Sequence, residues 1–136
     1  MKLIRFVTNE HPTGVYGLLQ DTDSVAVIKG SLFDPVEITG ETVPVKTITR
    51  YLPPVDPPNI LAIGRNYRAH AEETCDALPK APLLFLKATT SLIGHGLPIV
   101  LPAAAPSSVD YEAELVAVIG KEAKNVSIEQ ALDYVF

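Results

Sequence analysis

Asp110, Glu112 and Glu114 recur at every second position of the stretch Asp110-Tyr111-Glu112-Ala113-Glu114-Leu115-Val116-Ala117-Val118-Ile119. This alternation predicts a strand, in which residues two apart share a face. The three carboxylates then line one side, and Tyr111, Ala113, Leu115, Ala117 and Ile119 line the other. Val116 and Val118 continue the acidic side, so it is expected to run from a polar mouth into a buried region. Same-face neighbours on a strand sit roughly 7 Å apart, and carboxylates that close repel unless positive charge lies between them. Paired, oxygen-only acids are how sites for Mg²⁺, Mn²⁺ or Ca²⁺ are built. An edge strand with one wet acidic face has the same pattern, and the stretch by itself leaves both readings open.

A second group precedes it. Asn59 to Gly64 is a short apolar strand ending at glycine, and Tyr67 to Thr74 is compatible with a helix that Asn66 can cap. On that helix His70 and Glu73 are three apart and face each other. A carboxylate beside an imidazole fixes its tautomer and raises its basicity, as a general base requires. A surface His–Glu pair on a short helix would look the same and contribute little. Lys87 ends the apolar run Leu83-Leu84-Phe85-Leu86. A lysine there either snorkels to water or is held inward against a counter-charge. His95, between Gly94 and Gly96, reads as a turn residue, and His11 as a surface loop residue.

The elements that must position these groups are short. Twelve prolines and eight glycines in 136 residues cut the chain into strands and loops rather than long helices. The 47% hydrophobic and 20% charged composition is that of a globular chain. A net charge of -5 without a basic patch argues against nucleic acid as a partner. No apolar run reaches membrane-spanning length, and Met1-Lys2-Leu3-Ile4-Arg5 opens no signal-peptide core. The single cysteine, Cys75, excludes an internal disulfide framework and fits a reducing, cytoplasmic setting.

Residues 2–8, 14–20 and 24–29 are expected to form an antiparallel meander. In residues 30–50, Pro35, Gly40 and Pro44 are expected to block any long element. The stiff connector 52–58, rich in proline, is read as the boundary between a small amino-terminal β domain (residues 1–54) and a main domain (residues 59–136). Pro98 to Pro102 reads as a short strand bracketed by prolines. Ser127-Ile128-Glu129-Gln130 reads as a capping box that opens a helix through Tyr134. The apolar ending Val135-Phe136 lacks a helix C-cap, so the reading frame is expected to continue past it.

Taken together, these pieces resemble the fumarylacetoacetate hydrolase family. The resemblance is carried by Ile63-Gly64-Arg65-Asn66-Tyr67 with His70 and Glu73, by Ala81-Pro82-Leu83-Leu84-Phe85-Leu86-Lys87, by Ser91-Leu92-Ile93-Gly94-His95-Gly96, and by Asp110-Tyr111-Glu112-Ala113-Glu114-Leu115 followed by Val118-Ile119-Gly120. Residues 1–54 look like the small amino-terminal domain of the bacterial hydroxymuconate or hydroxyheptadienedioate isomerase branch. The resemblance implies an α+β, mostly β fold, a mixed β-roll or sandwich that is truncated at its carboxyl end. It implies Mg²⁺ or Mn²⁺, with Ca²⁺ as a further option, on Glu112 and Glu114, and a third carboxylate ligand in a segment beyond Phe136. It implies a catalytic dyad of His70 and Glu73, a substrate-oxygen contact from Lys87, and substrate-binding positions at Arg65 and Tyr67. The implied substrates are 1,3-dicarbonyl or 2-oxo acids, cleaved at a C–C bond through a metal-bound enolate by a homodimer of the full-length chain. Isomerisation or decarboxylation of hydroxymuconate-type intermediates of aromatic catabolism is the alternative outcome of the same site. A truncated chain without catalysis is the non-enzymatic alternative.

Overall fold

The computed structural model describes residues 1–73 and 78–136. Cys75 and the carboxyl end of the expected helix at Thr74 fall outside the described residues. Five antiparallel strands, β1 (Lys2–Val7), β2 (Val15–Leu19), β3 (Ser24–Lys29), β4 (Glu37–Pro44) and β5 (Arg50–Leu52), form one sheet in the order β4-β3-β2-β1-β5. Alternation in β1 and β3 sends Phe6, Val25 and Val27 to one face, where they pack with Val43 of β4. Ile4, Val15, Leu19, Ile48 and Tyr51 close around this cluster, and Phe6 and Val25 are fully buried (0% exposed). Ala26 and Ile28, on the other face of β3, are buried as well. That strand is therefore covered on both sides, which explains its unbroken apolar sequence.

The long strand β4 corrects the expectation for residues 30–50. Gly40 takes φ +90, a left-handed conformation open to glycine without steric cost, and the β3–β4 register shifts between Ala26 and Ile28. β4 lies at the edge of the sheet, where a proline at its end and a bulge in its middle cost little. The turn before β3 is held by Asp21, whose carboxylate accepts the Asp23 N–H at 2.7 Å, the Ser24 hydroxyl at 3.1 Å and the Ser24 N–H at 2.8 Å. The Asp23 N–H, followed by the Ser24 hydroxyl, holds this carboxyl below the usual carboxylate range. A depressed folded-state value means that the turn's contribution is present above about pH 4 and is lost as pH falls through the lowered value. An NMR titration of the Ser24 amide should therefore give a midpoint below that of a free aspartate, and a midpoint at or above it would contradict the assignment.

A second sheet pairs β6 (Ile60–Gly64) with β7 (Leu83–Lys87), in register from Ile60↔Lys87 to Gly64↔Leu83. One helix, α1 (Arg68–Glu73), follows β6. The chain is thus mostly β, with two sheets and little helix. Arg5 pairs with Asp56 of the connector. The loop after β7 seats Gly94 directly on the backbone of β5, where a β-carbon would overlap the Tyr51 carbonyl oxygen. The His95 ring meets the Tyr51 ring edge-on at 5.6 Å, consistent with its reading as a turn residue. Because the obstacle at Gly94 is backbone rather than a movable side chain, Gly94→Ala should cost about 1–3 kcal/mol. Denaturant unfolding of the variant checks this, and an unchanged midpoint would mean that the loop is not seated there.

Three further expectations are corrected. Residues 110–118 belong to no strand. Alternation sets which way side chains point, whereas a strand also needs a neighbour for its N–H and C=O groups. Among the described residues the segment's only pairing is the single antiparallel bridge Ile119↔Val135, flanked by Gly120 N–H to the Tyr134 carbonyl and Phe136 N–H to the Val118 carbonyl, both 2.8 Å. Its expected buried end is open, with Val116 76% exposed. Residues 98–101 likewise form no strand, for the same want of a partner. The capping box opens only a 3₁₀ turn (Ala131–Tyr134), and Gln130 makes no capping hydrogen bond from its side chain. The Ser127 hydroxyl meets the Gln130 side chain instead of a backbone N–H, at 3.5 Å.

Candidate functional site

A cavity of ≈ 700 Å³ lies between the end of β6 and the acidic segment. One wall is the turn that leaves β6, Gly64 through Tyr67, together with Glu73 from α1. Phe85 and Lys87 of β7 and Asp110 to Glu114 complete the lining. Antiparallel pairing of β6 with β7 brings the two apolar runs together. The period of two along β7 puts Phe85 and Lys87 on the same face. The Lys87 ammonium stands over the Phe85 ring, 6.0 Å from its centre, and both residues line the cavity.

The turn after β6 is unusual. Arg65 adopts φ 54, a left-handed conformation that costs a non-glycine residue roughly 1–2 kcal/mol. This conformation lies at the cavity wall, and side chains held in sparsely populated backbone regions cluster at functional sites. Tyr67 immediately precedes α1, its carbonyl accepting the Ala71 N–H at 3.2 Å, and its hydroxyl accepts the Leu115 N–H at 3.3 Å.

Of the residues singled out in the sequence, Arg65, Tyr67, Glu73, Lys87, Glu112 and Glu114 line this one cavity. His70 lies within α1 between Tyr67 and Glu73, and its side chain falls outside what the structure describes. Asn66, Phe85 and Tyr111 also line the cavity. Phe85 was readable from its place two residues before Lys87, and Asn66 from its place beside Arg65. Tyr111 carried no such signal, because the alternation assigns it to the face opposite the carboxylates.

Four carboxylates (Glu73, Asp110, Glu112, Glu114) and two cations (Arg65, Lys87) face the same space. The balance is acidic, which favours a cation. Among the described residues no three His, Cys, Asp or Glu side chains converge closely enough to enclose a metal. Mg²⁺ does not require such a cage. It is bound through one or two carboxylates, with water and substrate oxygens completing its shell. The oxygen-only pair Glu112 and Glu114, exposed to the cavity rather than sealed from it, fits that mode of binding.

Residues 59–136 match the family described as "Fumarylacetoacetate (FAA) hydrolase C-terminal", and residues 1–54 match one described as "Rv2993c-like, N-terminal". Caffeoylpyruvate hydrolase of Neonothopanus nambi is 51% identical over 80 residues, covering 56% of this chain and 28% of that protein. A mitochondrial oxaloacetate tautomerase of Xenopus laevis is 41% identical over 88 residues, covering 65% of this chain and 27% of that protein. The crystal structure of 5-carboxymethyl-2-hydroxymuconate delta-isomerase from Mycobacterium smegmatis superposes with a TM-score of 0.81 at 28% identity, covering 99% of this chain and 51% of that one. The chain spans about half the length of this solved relative and less of the curated ones. Among the described residues no helix is long and apolar enough to cross a membrane.

Proposed function

Because the chain belongs to the fumarylacetoacetate hydrolase family, we propose that its cavity binds small 1,3-dicarbonyl or 2-oxo acids and that the protein carrying it hydrolyses a C–C bond in them. The observation that carries this reading is the meeting of Arg65 and Lys87 with the Glu112–Glu114 pair around one cavity. An anionic, oxygen-rich substrate needs fixed positive charge, and Arg65 supplies a planar fork suited to a carboxylate. Lys87 places a second charge where oxygen becomes negative as the bond breaks. A divalent ion on Glu112 and Glu114, Mg²⁺ or Mn²⁺, would supply Lewis-acid stabilisation of that same negative oxygen.

His70 is assigned the base, on its family resemblance and its place three residues before Glu73. It takes a proton from water, and the hydroxide oxygen adds to the distal carbonyl carbon. The C–C bond then breaks, its electron pair passing to the α-carbon of the leaving oxo acid as an enolate, which is reprotonated to the ketone. Residues 1–54 and 59–136 are proposed as separate domains, and the full-length protein as a cytoplasmic homodimer.

Proton transfer without cleavage is the second reading. Its support is the likeness of nearly the whole chain to an isomerase and of the cavity-bearing part to a tautomerase. The same base would then move a proton between carbon atoms of the enol. Assaying acylpyruvates, oxaloacetate and hydroxymuconates side by side with Mg²⁺ or Mn²⁺ separates the two. Release of pyruvate from an acylpyruvate supports hydrolysis. Loss of enol absorbance with no cleavage product supports isomerisation. No turnover of any of them by the complete protein would sink both and favour a non-catalytic role.

A further inference from the structure

We propose that Tyr67 is a positioning residue whose hydroxyl holds the Glu112–Glu114 segment at the cavity; the proposal rests on reading those glutamates as cation ligands. Residues 110–118 lack the ladder that would fix a strand. Among the described residues, the one side-chain hydrogen bond reaching residues 110–117 runs from the Leu115 N–H to the Tyr67 hydroxyl, 3.3 Å. Leu115 directly follows Glu114, so this bond pins the backbone at the carboxylate pair. Tyr67 is itself well anchored. It sits between the left-handed Arg65 and the first turn of α1, and its carbonyl accepts the Ala71 N–H.

A segment outside any strand ladder samples many separations of its two carboxylates, and a cation must gather them at an entropic cost. One fixed point beside Glu114 removes much of that cost before the ion arrives. A phenol suits the task. It accepts the peptide N–H through a lone pair and still has its own O–H to donate to a substrate oxygen in the cavity. Groups that orient metal ligands without touching the metal commonly change affinity by 10–100-fold when removed.

The test is Mn²⁺ titration by calorimetry on the complete wild-type protein and its Tyr67→Phe and Glu112→Gln/Glu114→Gln variants, with amide exchange at Leu115 followed by NMR in the first two. Tyr67→Phe keeps the ring and deletes only the hydroxyl, so its far-UV spectrum should be unchanged. The expected result is about tenfold weaker Mn²⁺ binding and faster exchange at Leu115 in Tyr67→Phe, with binding lost in the double glutamine variant. Wild-type exchange at Leu115, or wild-type Mn²⁺ affinity in Tyr67→Phe alongside loss in the double variant, would overturn the proposal and leave the cation reading standing. Full Mn²⁺ affinity in the double glutamine variant would remove the cation reading and the proposal with it.

Discussion

Replacing Glu112 and Glu114 together by alanine should lower kcat/KM of the complete protein by at least about 10³-fold, equivalent to roughly 4 kcal/mol of transition-state stabilisation. The size follows from what the pair is proposed to do. Both carboxylates line the cavity together with Lys87, and removing them takes away two of the four acids that attract a divalent ion there. Lys87 and Arg65 would remain, and they would still bind an anionic substrate, so the loss should fall mainly on kcat rather than on KM. Chelation of divalent ions should produce the same loss in the wild-type protein and no further loss in the variant. Glu122 is exposed and outside the cavity, and Glu122→Ala serves as the control for a change of surface charge. Turnover of the double variant within tenfold of wild type, or indifference of the wild type to chelator, would sink the metal reading.

Legibility differed between the two parts of the chain for a physical reason. β1, β2 and β3 were readable to within a residue or two at each end because each is a short, largely apolar run with a turn signal beside it. β4 was not, because its glycine and its proline look like breakers until the sheet edge and the bulge that tolerate them are known. The acidic segment posed the reverse problem. Its alternation is clean, yet a strand is a relation between two segments, and one-dimensional pattern says nothing about whether the second is present. The candidate site was more legible than the element meant to carry it. The family resemblance assigned Arg65, Tyr67, Lys87, Glu112 and Glu114 to one site, and the fold gathers them around one cavity. What pattern could not reveal was the link between them, the Tyr67 hydroxyl on the Leu115 N–H, since a contact across 48 positions leaves no local trace.

The 136-residue chain taken alone should bind a hydrophobic dye and self-associate at micromolar concentration. β7 is exposed along its entire length, with Leu84 62% and Leu86 68% accessible. Leu115 is 90% exposed, and Ile99, Val100, Ile128 and Leu132 are open as well. So many exposed large apolar side chains are rare on a stable monomer, and burial is worth about 25 cal/mol per Å². The geometry adds to the hazard. Among the described residues β6 and β7 make a sheet of two strands, so each offers an unpaired edge of N–H and C=O groups to another chain. Leu84 and Leu86 lie on the face of β7 opposite Phe85 and Lys87. Leu84→Glu/Leu86→Glu should therefore reduce dye binding and shift sedimentation toward monomer while leaving the cavity's own side chains in place. The five-stranded sheet, with Phe6 and Val25 fully enclosed, is expected to contribute little to either signal. A single cooperative melt of a monomer with no dye bound would contradict this, because it would require the exposed face of β7 to be covered by the chain itself.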